Sequence, residues 1–390
     1  MRKTLFLLTT LLSGSLAFAQ EAEYSEGNDI EVRVIPRFDA NPYIPFSKRA
    51  GSDFDFGSTS LYTQIEGNIG SRLTYFFSNH WLSTHPGELY TIDGDGKNSA
   101  NLFRSDYTNW LDMGYIGLNF GSWDFTLGKD MITIGSFEED AYDYESHPNM
   151  NSYFWNMAQI YQWGAKAAWT SPDETSQFLL QIMSSPFSEH PFGKSWYGEG
   201  GHLKTISAGW YGEYENYRSI WAVNMMEYSK GKYLGIIGLG NRFYSGDFTF
   251  TLDLQARVNS MKKFFAQENS VSGTVQYAAG DKAELFAKAG FDSAKRHDFF
   301  AAPDSSFVPG ALYEDGNRFT DHGNCFYGGI GLHYYPIKGS RDLRLHAVAA
   351  MNTFSKDQLS LSIGALYSFD LSGVLRRKKE KRTPADLKAI

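Results

Sequence analysis

The chain has 390 residues, with 36 basic and 44 acidic side chains, a formal charge of −8 and one cysteine. That acidic balance excludes a nucleic-acid partner, because binding phosphates needs a basic surface. A single thiol excludes an intramolecular disulfide framework, and Cys325 reads as a small apolar residue packed in a strand.

Aromatic residues reach 16% of the chain and glycines number 38, yet no window holds the roughly 18 apolar residues of a membrane-spanning helix. A membrane β-barrel remains open, since half of each strand faces water and the mean hydropathy cancels.

The chain begins with Arg2 and Lys3, a short apolar run over 5–12, and Leu16-Ala17-Phe18-Ala19 ahead of Gln20. This is the pattern of a secretory signal peptide over 1–19, too short to span a bilayer. Without its two bases the formal charge falls to about −10.

Period-two alternation then recurs over 28–39, 61–69, 72–81, 110–120, 123–127, 158–169, 177–183 and 205–214. It continues over 217–228, 233–244, 247–258, 270–279, 282–291, 324–335, 342–352 and 358–371. The clearest case is DFTFTLDLQARV, where Phe248, Phe250, Leu252, Leu254, Ala256 and Val258 share one face. Thr249, Thr251, Asp253, Gln255 and Arg257 share the other. Successive side chains of a strand point to opposite faces, so one face is apolar and the other polar. Sixteen such segments, joined alternately by short turns and long loops, predict an all-β, 16-stranded antiparallel transmembrane barrel over 20–371. Both chain ends then fall on the short-turn, periplasmic side. Aromatics cluster near strand ends, as at two membrane interfaces.

A barrel of that width encloses a channel. By parity the inward wall carries Arg33, Arg37, Arg72, Lys166, Arg218, Arg242, Arg257, Lys288 and Arg344, with Glu66, Glu213, Asp253 and Glu284 among them. Residues 133–157 do not alternate and hold GSFEEDAYDYESH, with Glu138, Glu139, Asp140, Asp143 and Glu145, followed by Tyr153, Phe154 and Trp155. Aromatics there need somewhere to pack, which favours a loop folded into the barrel over a solvated surface loop. Its carboxylates would then face a basic wall across a constriction, setting up a transverse field.

Residues 123–169, WDFTLGKDMITIGSFEEDAYDYESHPNMNSYFWNMAQIYQWGAKAAW, resemble the strand, Gly-Lys turn, acidic-aromatic loop and returning strand of phosphate-selective porin O/P-like outer-membrane porins. The resemblance implies a channel with an infolded third loop, commonly trimeric, whose phosphate-selective members line the pore with arginines and lysines. The wall bases here are interrupted by acids, and Lys129 falls on the outward parity.

Other constellations carry less. Asp93-Gly94-Asp95-Gly96-Lys97-Asn98 departs from a calcium loop at three positions and reads as an extracellular loop. The nine histidines show no metal-ligand spacing and no cofactor is implied. His333 and His346 lie inward near Ser360 and Ser362, without readable triad geometry. The glycines between Gly235 and Gly240 read as places of close approach. The run Arg376 to Arg382, within a tail over 372–390, reads as a solvated charge run or a contact for anionic headgroups.

The reading that results is a porin of a Gram-negative outer membrane: a passive, water-filled channel for small hydrophilic solutes or ions. It would be a homotrimer in outer-membrane lipid, without catalysis. A substrate-specific anion channel is the alternative; a plugged barrel acting as enzyme or adhesin is a third.

Overall fold

Alternating segments close on themselves. A computed structural model describes residues 29–45, 53–56, 59–83, 91–92, 98–99, 111–142, 144–156, 160–185, 203–258, 268–293, 324–352 and 358–372. The signal segment 1–19, Asp143, Trp110, the calcium-like residues 93–97 and the basic run 376–382 lie outside them.

Sixteen long strands follow one another among the described residues. They are β1 (Asp29–Pro45), β2 (Ser60–Ile69), β3 (Leu73–Ser83), β4 (Leu111–Phe120), β5 (Trp123–Met131), β6 (Tyr161–Thr170), β7 (Ser176–Ser184) and β8 (Lys204–Tyr214). The second half comprises β9 (Tyr217–Ser229), β10 (Lys232–Ser245), β11 (Phe248–Val258), β12 (Glu268–Ala279), β13 (Ala283–Ser293), β14 (Asn324–Tyr334), β15 (Leu343–Asn352) and β16 (Gln358–Tyr367). Each is antiparallel to the next in sequence. Closure comes from β1, which pairs with β2 through residues 29–37 and with β16 from Arg37↔Leu366 to Pro45↔Gln358. A short piece after β16, Phe369–Asp370, pairs with Arg33 and Val34 of β1.

The first strand runs past its expected end at Asp39, through a stretch the prolines mark as loop. Its outer half is held by β16, the one strand left to close the barrel. The fifth also continues, from 127 to Met131, which places Asp130 on the inward parity.

Parity holds on β11. Phe248, Phe250 and Leu252 are exposed on the outer face, whereas Thr251, Asp253, Gln255 and Arg257 are buried within. The outer face is dominated by apolar side chains, with Leu127 70% and Ile330 65% exposed, a surface suited to hydrocarbon rather than water. Near the short turns the rings touch across strands: Trp169 and Phe178 at 6.0 Å, Tyr217 and Phe243 at 5.1 Å, Phe248 and Tyr277 at 4.8 Å.

The interior departs from a simple polar lumen. Met183, Met226, Leu234 and Ile236 point inward and are buried against Ile132, Ile134, Trp155 and Ile160 of the segment after β5. Ile35, Tyr62 and Leu366 likewise bury Tyr144. The barrel thus has an apolar core of its own, made where that segment rests on the wall. Cys325 is buried in β14.

Candidate functional site

The loop between β5 and β6 folds into the barrel, as its aromatics require. Its neck is closed by Ile132 N–H donating to Ile160 O at 2.8 Å. Gln181 of β7 holds the entering strand, donating to Met131 O at 2.8 Å and accepting from Thr133 N at 3.1 Å. The loop backbone then lies directly on β10. A Cβ on Gly238 would collide with Ile134 O, and one on Gly240 would lie 3.0 Å from the Phe137 ring. Gly135 answers on the loop side, with φ 85° and a would-be Cβ 2.6 Å from Gly238 O. The glycine run that the sequence marked for close approach is therefore the seat of the loop.

A single 3₁₀ turn, Phe137–Asp140, presents three carboxylates. Each is consumed locally. Glu139 accepts from Ile134 N at 2.5 Å, Gly135 N at 3.1 Å, Thr133 Oγ1 at 2.9 Å and the Tyr211 hydroxyl at 3.2 Å. Burial outweighs these donors and pushes its carboxyl up to about 7. Asp140 meets Arg218 at 2.9 Å and Arg242 at 2.6 Å. Burial works to raise its pKa, but the two guanidiniums prevail and hold it below the usual carboxylate range. Glu138 pairs with Lys288 at 2.5 Å and accepts from Ser152 N at 2.6 Å. Asp253, on the wall, accepts from Phe137 N at 2.7 Å. Arg242 lies 4.0 Å from the centre of the Phe137 ring and Arg257 lies 3.8 Å from that of Phe154.

This corrects the expected constriction. Acids and bases do not confront each other across an open gap; Glu138 and Asp140 sit in ion pairs with the wall, and Glu139 is satisfied within the loop and by Tyr211. Desolvated charges favour direct pairing, because an isolated buried carboxylate costs several kcal/mol.

The distal half of the loop crosses to the opposite wall. Arg37 donates to Tyr144 O at 2.8 Å and Ser146 O at 2.6 Å, and Arg344 donates to Glu145 O at 3.2 Å. His147 meets His333 with their Nε2 atoms 2.9 Å apart, and Asn149 donates to Ser360 Oγ at 2.7 Å. A row of rings runs from Tyr115 through Phe76, Tyr142 and Tyr144 to Tyr62, with neighbours 5.1–6.4 Å apart. Beneath lies Asp39, which binds Arg37 and His346 and accepts from Ser362 Oγ at 2.8 Å. Here the carboxylate stands between histidine and serine, and the serine hydroxyl is spent on Asp39. That order does not activate a nucleophile, which needs its oxygen bonded to the imidazole.

Among the other expected wall residues, Arg33 pairs with Glu31, Glu66 stands opposite Phe76, and Lys166 meets Asp130 at 2.5 Å. Glu213 lies 3.7 Å from Arg218, and Glu284 lies 3.6 Å from His333 and 3.8 Å from Arg341. Arg72 is not on the wall: it sits exposed in the turn before β3, with its guanidinium 6.0 Å from the Phe120 ring. Lys129 keeps its outward parity but is buried, its amine donating to Leu111 O. Asp39, Asp130, Arg341 and His147 escaped the sequence reading. Asp39 already shares the inward parity of Arg33 and Arg37 within 28–39, and Asp130 gains it once β5 is extended; His147 lies outside any alternating pattern.

These features define a sixteen-stranded barrel with, among the described residues, one long loop folded inside. Neither a known family model nor a curated protein matches the sequence. Solved structures do match in fold. The anion-selective porin from Comamonas acidovorans aligns over 87% of this chain and 100% of its own, at 12% identity and a TM-score of 0.54. OmpT of Vibrio cholerae, an outer-membrane protein whose in-vitro folded form was solved as a trimer, aligns over 88% of this chain and 100% of its own, at 9% identity and a TM-score of 0.50. At such identities the likeness is one of fold.

Proposed function

We propose that this protein is an outer-membrane porin: a passive, water-filled channel for small hydrophilic or ionic solutes, without enzymatic activity. The observation that carries it is a closed barrel of sixteen long strands whose outer face is apolar while charged side chains inside keep contact with water. Glu31 and Arg33, at 34% and 31% side-chain exposure, and Glu213 at 31% are such groups. A barrel this wide cannot be filled by its own side chains. The groups still in contact with water are of both signs, which supports weak ion selectivity. Affinity for phosphate, as in the phosphate-selective O/P-like channels, is a narrower reading; it would need bases free of acidic partners along the path. Assembly as a homotrimer in outer-membrane lipid, with the short turns on the periplasmic side, completes the proposal.

Planar-bilayer recording tests it. The expected result is ohmic conductance with a reversal potential near zero in a potassium chloride gradient. Block by low concentrations of phosphate would favour the anion-specific reading. Folded, inserted protein that passes no current would overturn both.

A further inference from the structure

Beyond the apolar seat of Tyr144, residues 144–149 are fastened to the wall by a small number of polar contacts gathered at one place. Arg37 from β1 and Arg344 from β15 donate to three successive loop carbonyls, those of Tyr144, Glu145 and Ser146. His147 then enters a cluster of imidazoles, with its ring centre 5.2 Å from those of both His333 and His346 and 5.6 Å from the Phe286 ring. Two Nε2 atoms at 2.9 Å can form a hydrogen bond only while one donates and the other accepts. The bond therefore holds at most one proton. A second, added to the accepting nitrogen, would leave two N–H donors facing each other and make that ring a cation beside two arginines.

We infer that His147 is an acid-operated latch: neutral, it docks the distal half of the loop on β14 and β15, and protonated, it releases that half into the lumen. The inference rests on the loop geometry, and it adds to the porin reading a gate responsive to protons.

The charges facing His147 favour this direction. From β1 come Arg37 and Asp39, from β14 His333, and from β15 Arg344 and His346. From β13 come Phe286 and, behind His333, Glu284, which Arg341 shares. Asp39 is already occupied by Arg37, His346 and Ser362, so it does not neutralise a new cation. Burial, and then Arg37, His333, Arg344 and His346, hold the His147 imidazole well below its ordinary range. A depressed histidine means that docking is complete above the ordinary value of about 6.5. Below it, each pH unit favours the released loop by up to about tenfold. Two loop carboxyls work the other way. Burial raises Glu145 to about 7, against the pull of Arg344, so its protonation favours the docked loop and opposes that of His147. Glu139, also raised to about 7, lies in the root, so acid tightens the root while it frees the tip.

Hydrogen exchange read by mass spectrometry on the folded barrel in detergent tests the latch, with rates corrected for the intrinsic effect of pH. The expected result is a loss of protection of at least about tenfold at 142–150 between pH 7.5 and 5. Protection at 133–140 is expected to be unchanged or increased. His147→Gln, which stays neutral and keeps a hydrogen-bonding group, should abolish the acid response, as should His333→Gln. Equal protection at both pH values in the parent protein, or the same loss in His147→Gln, overturns the inference. Bilayer conductance should rise on acidification in the parent and not in His147→Gln. Acid-dependent exchange in a protein that passes no current would leave the latch standing and remove the porin reading.

Discussion

Lys288 and Glu138 show how the loop is held residue by residue. Their ion pair is buried, at 10% and 2% side-chain exposure, so losing one partner leaves a charge without water. Lys288→Met should destabilise the folded barrel by about 3–5 kcal/mol. Adding Glu138→Gln should restore most of that, because the charge left behind, not the lost attraction, is the larger part. A double-mutant cycle by urea unfolding in detergent measures it; additive losses would show that the two side chains are not coupled. Glu139 has a different signature. Its carboxyl is raised to about 7 from an ordinary 4.5, so its contribution is complete below pH 4.5 and is lost as pH rises through 7. The loss amounts to about 3 kcal/mol at most. Glu139→Gln should flatten the pH profile of stability between 4.5 and 7.5, and a profile as steep as the parent's would place the titration elsewhere.

At the scale of the strand, alternation made most of the fold legible. On the face of β11 that reads apolar, Phe248, Phe250 and Leu252 are exposed while Ala256 is buried, and Asp253 points inward to the loop root. Leu252→Lys should therefore cost about 2–4 kcal/mol of stability in lipid, as for a base near the bilayer midplane, whereas Thr249→Lys, inward and half-buried, should cost less. Urea titration of folding into lipid vesicles compares them, and equal losses would mean that β11 faces the other way. What alternation could not show is which inward residues end under the loop. Ile236 and Arg257 stand directly opposite each other on β10 and β11, and both are buried by the same covering segment. Period two assigns a face, but depth depends on what folds back over it. Arg72 failed for a related reason: parity counted from β3 ran one residue into the turn, where the alternation no longer defines a wall. The glycines of β10 were legible as close approaches, but not their partner, because Ile134–Phe137 comes from a loop with no period of its own.

The molecule as a whole combines two opposed demands. An apolar exterior and a wide closed sheet leave an interior that strand side chains do not fill, and one loop fills part of it. The loop does so with apolar and polar contacts at both ends: an apolar cluster beside the Glu138 and Asp140 ion pairs at its root, and buried Tyr144 and Met150 beside the contacts of Arg37, Arg344 and His147 at its tip. Apolar burial is insensitive to pH, whereas the contacts of Arg37, Arg344 and His147 depend on charge. Replacing residues 136–156 with a short glycine linker separates these roles. It removes Phe137, Tyr144, Met150, Phe154 and Trp155 from the interior and uncovers Arg242, Lys288 and Arg37 together. Conductance should rise, and selectivity should shift toward anions, because the acids Glu138 and Asp140 leave while their basic partners remain on the wall. Stability should fall at the same time, as the cluster of inward Met226, Leu234 and Ile236 loses Trp155 from its cover. A reversal potential unchanged by the excision would show that these bases lie off the ion path. An unchanged conductance would show that the loop is not the narrowest part of the channel.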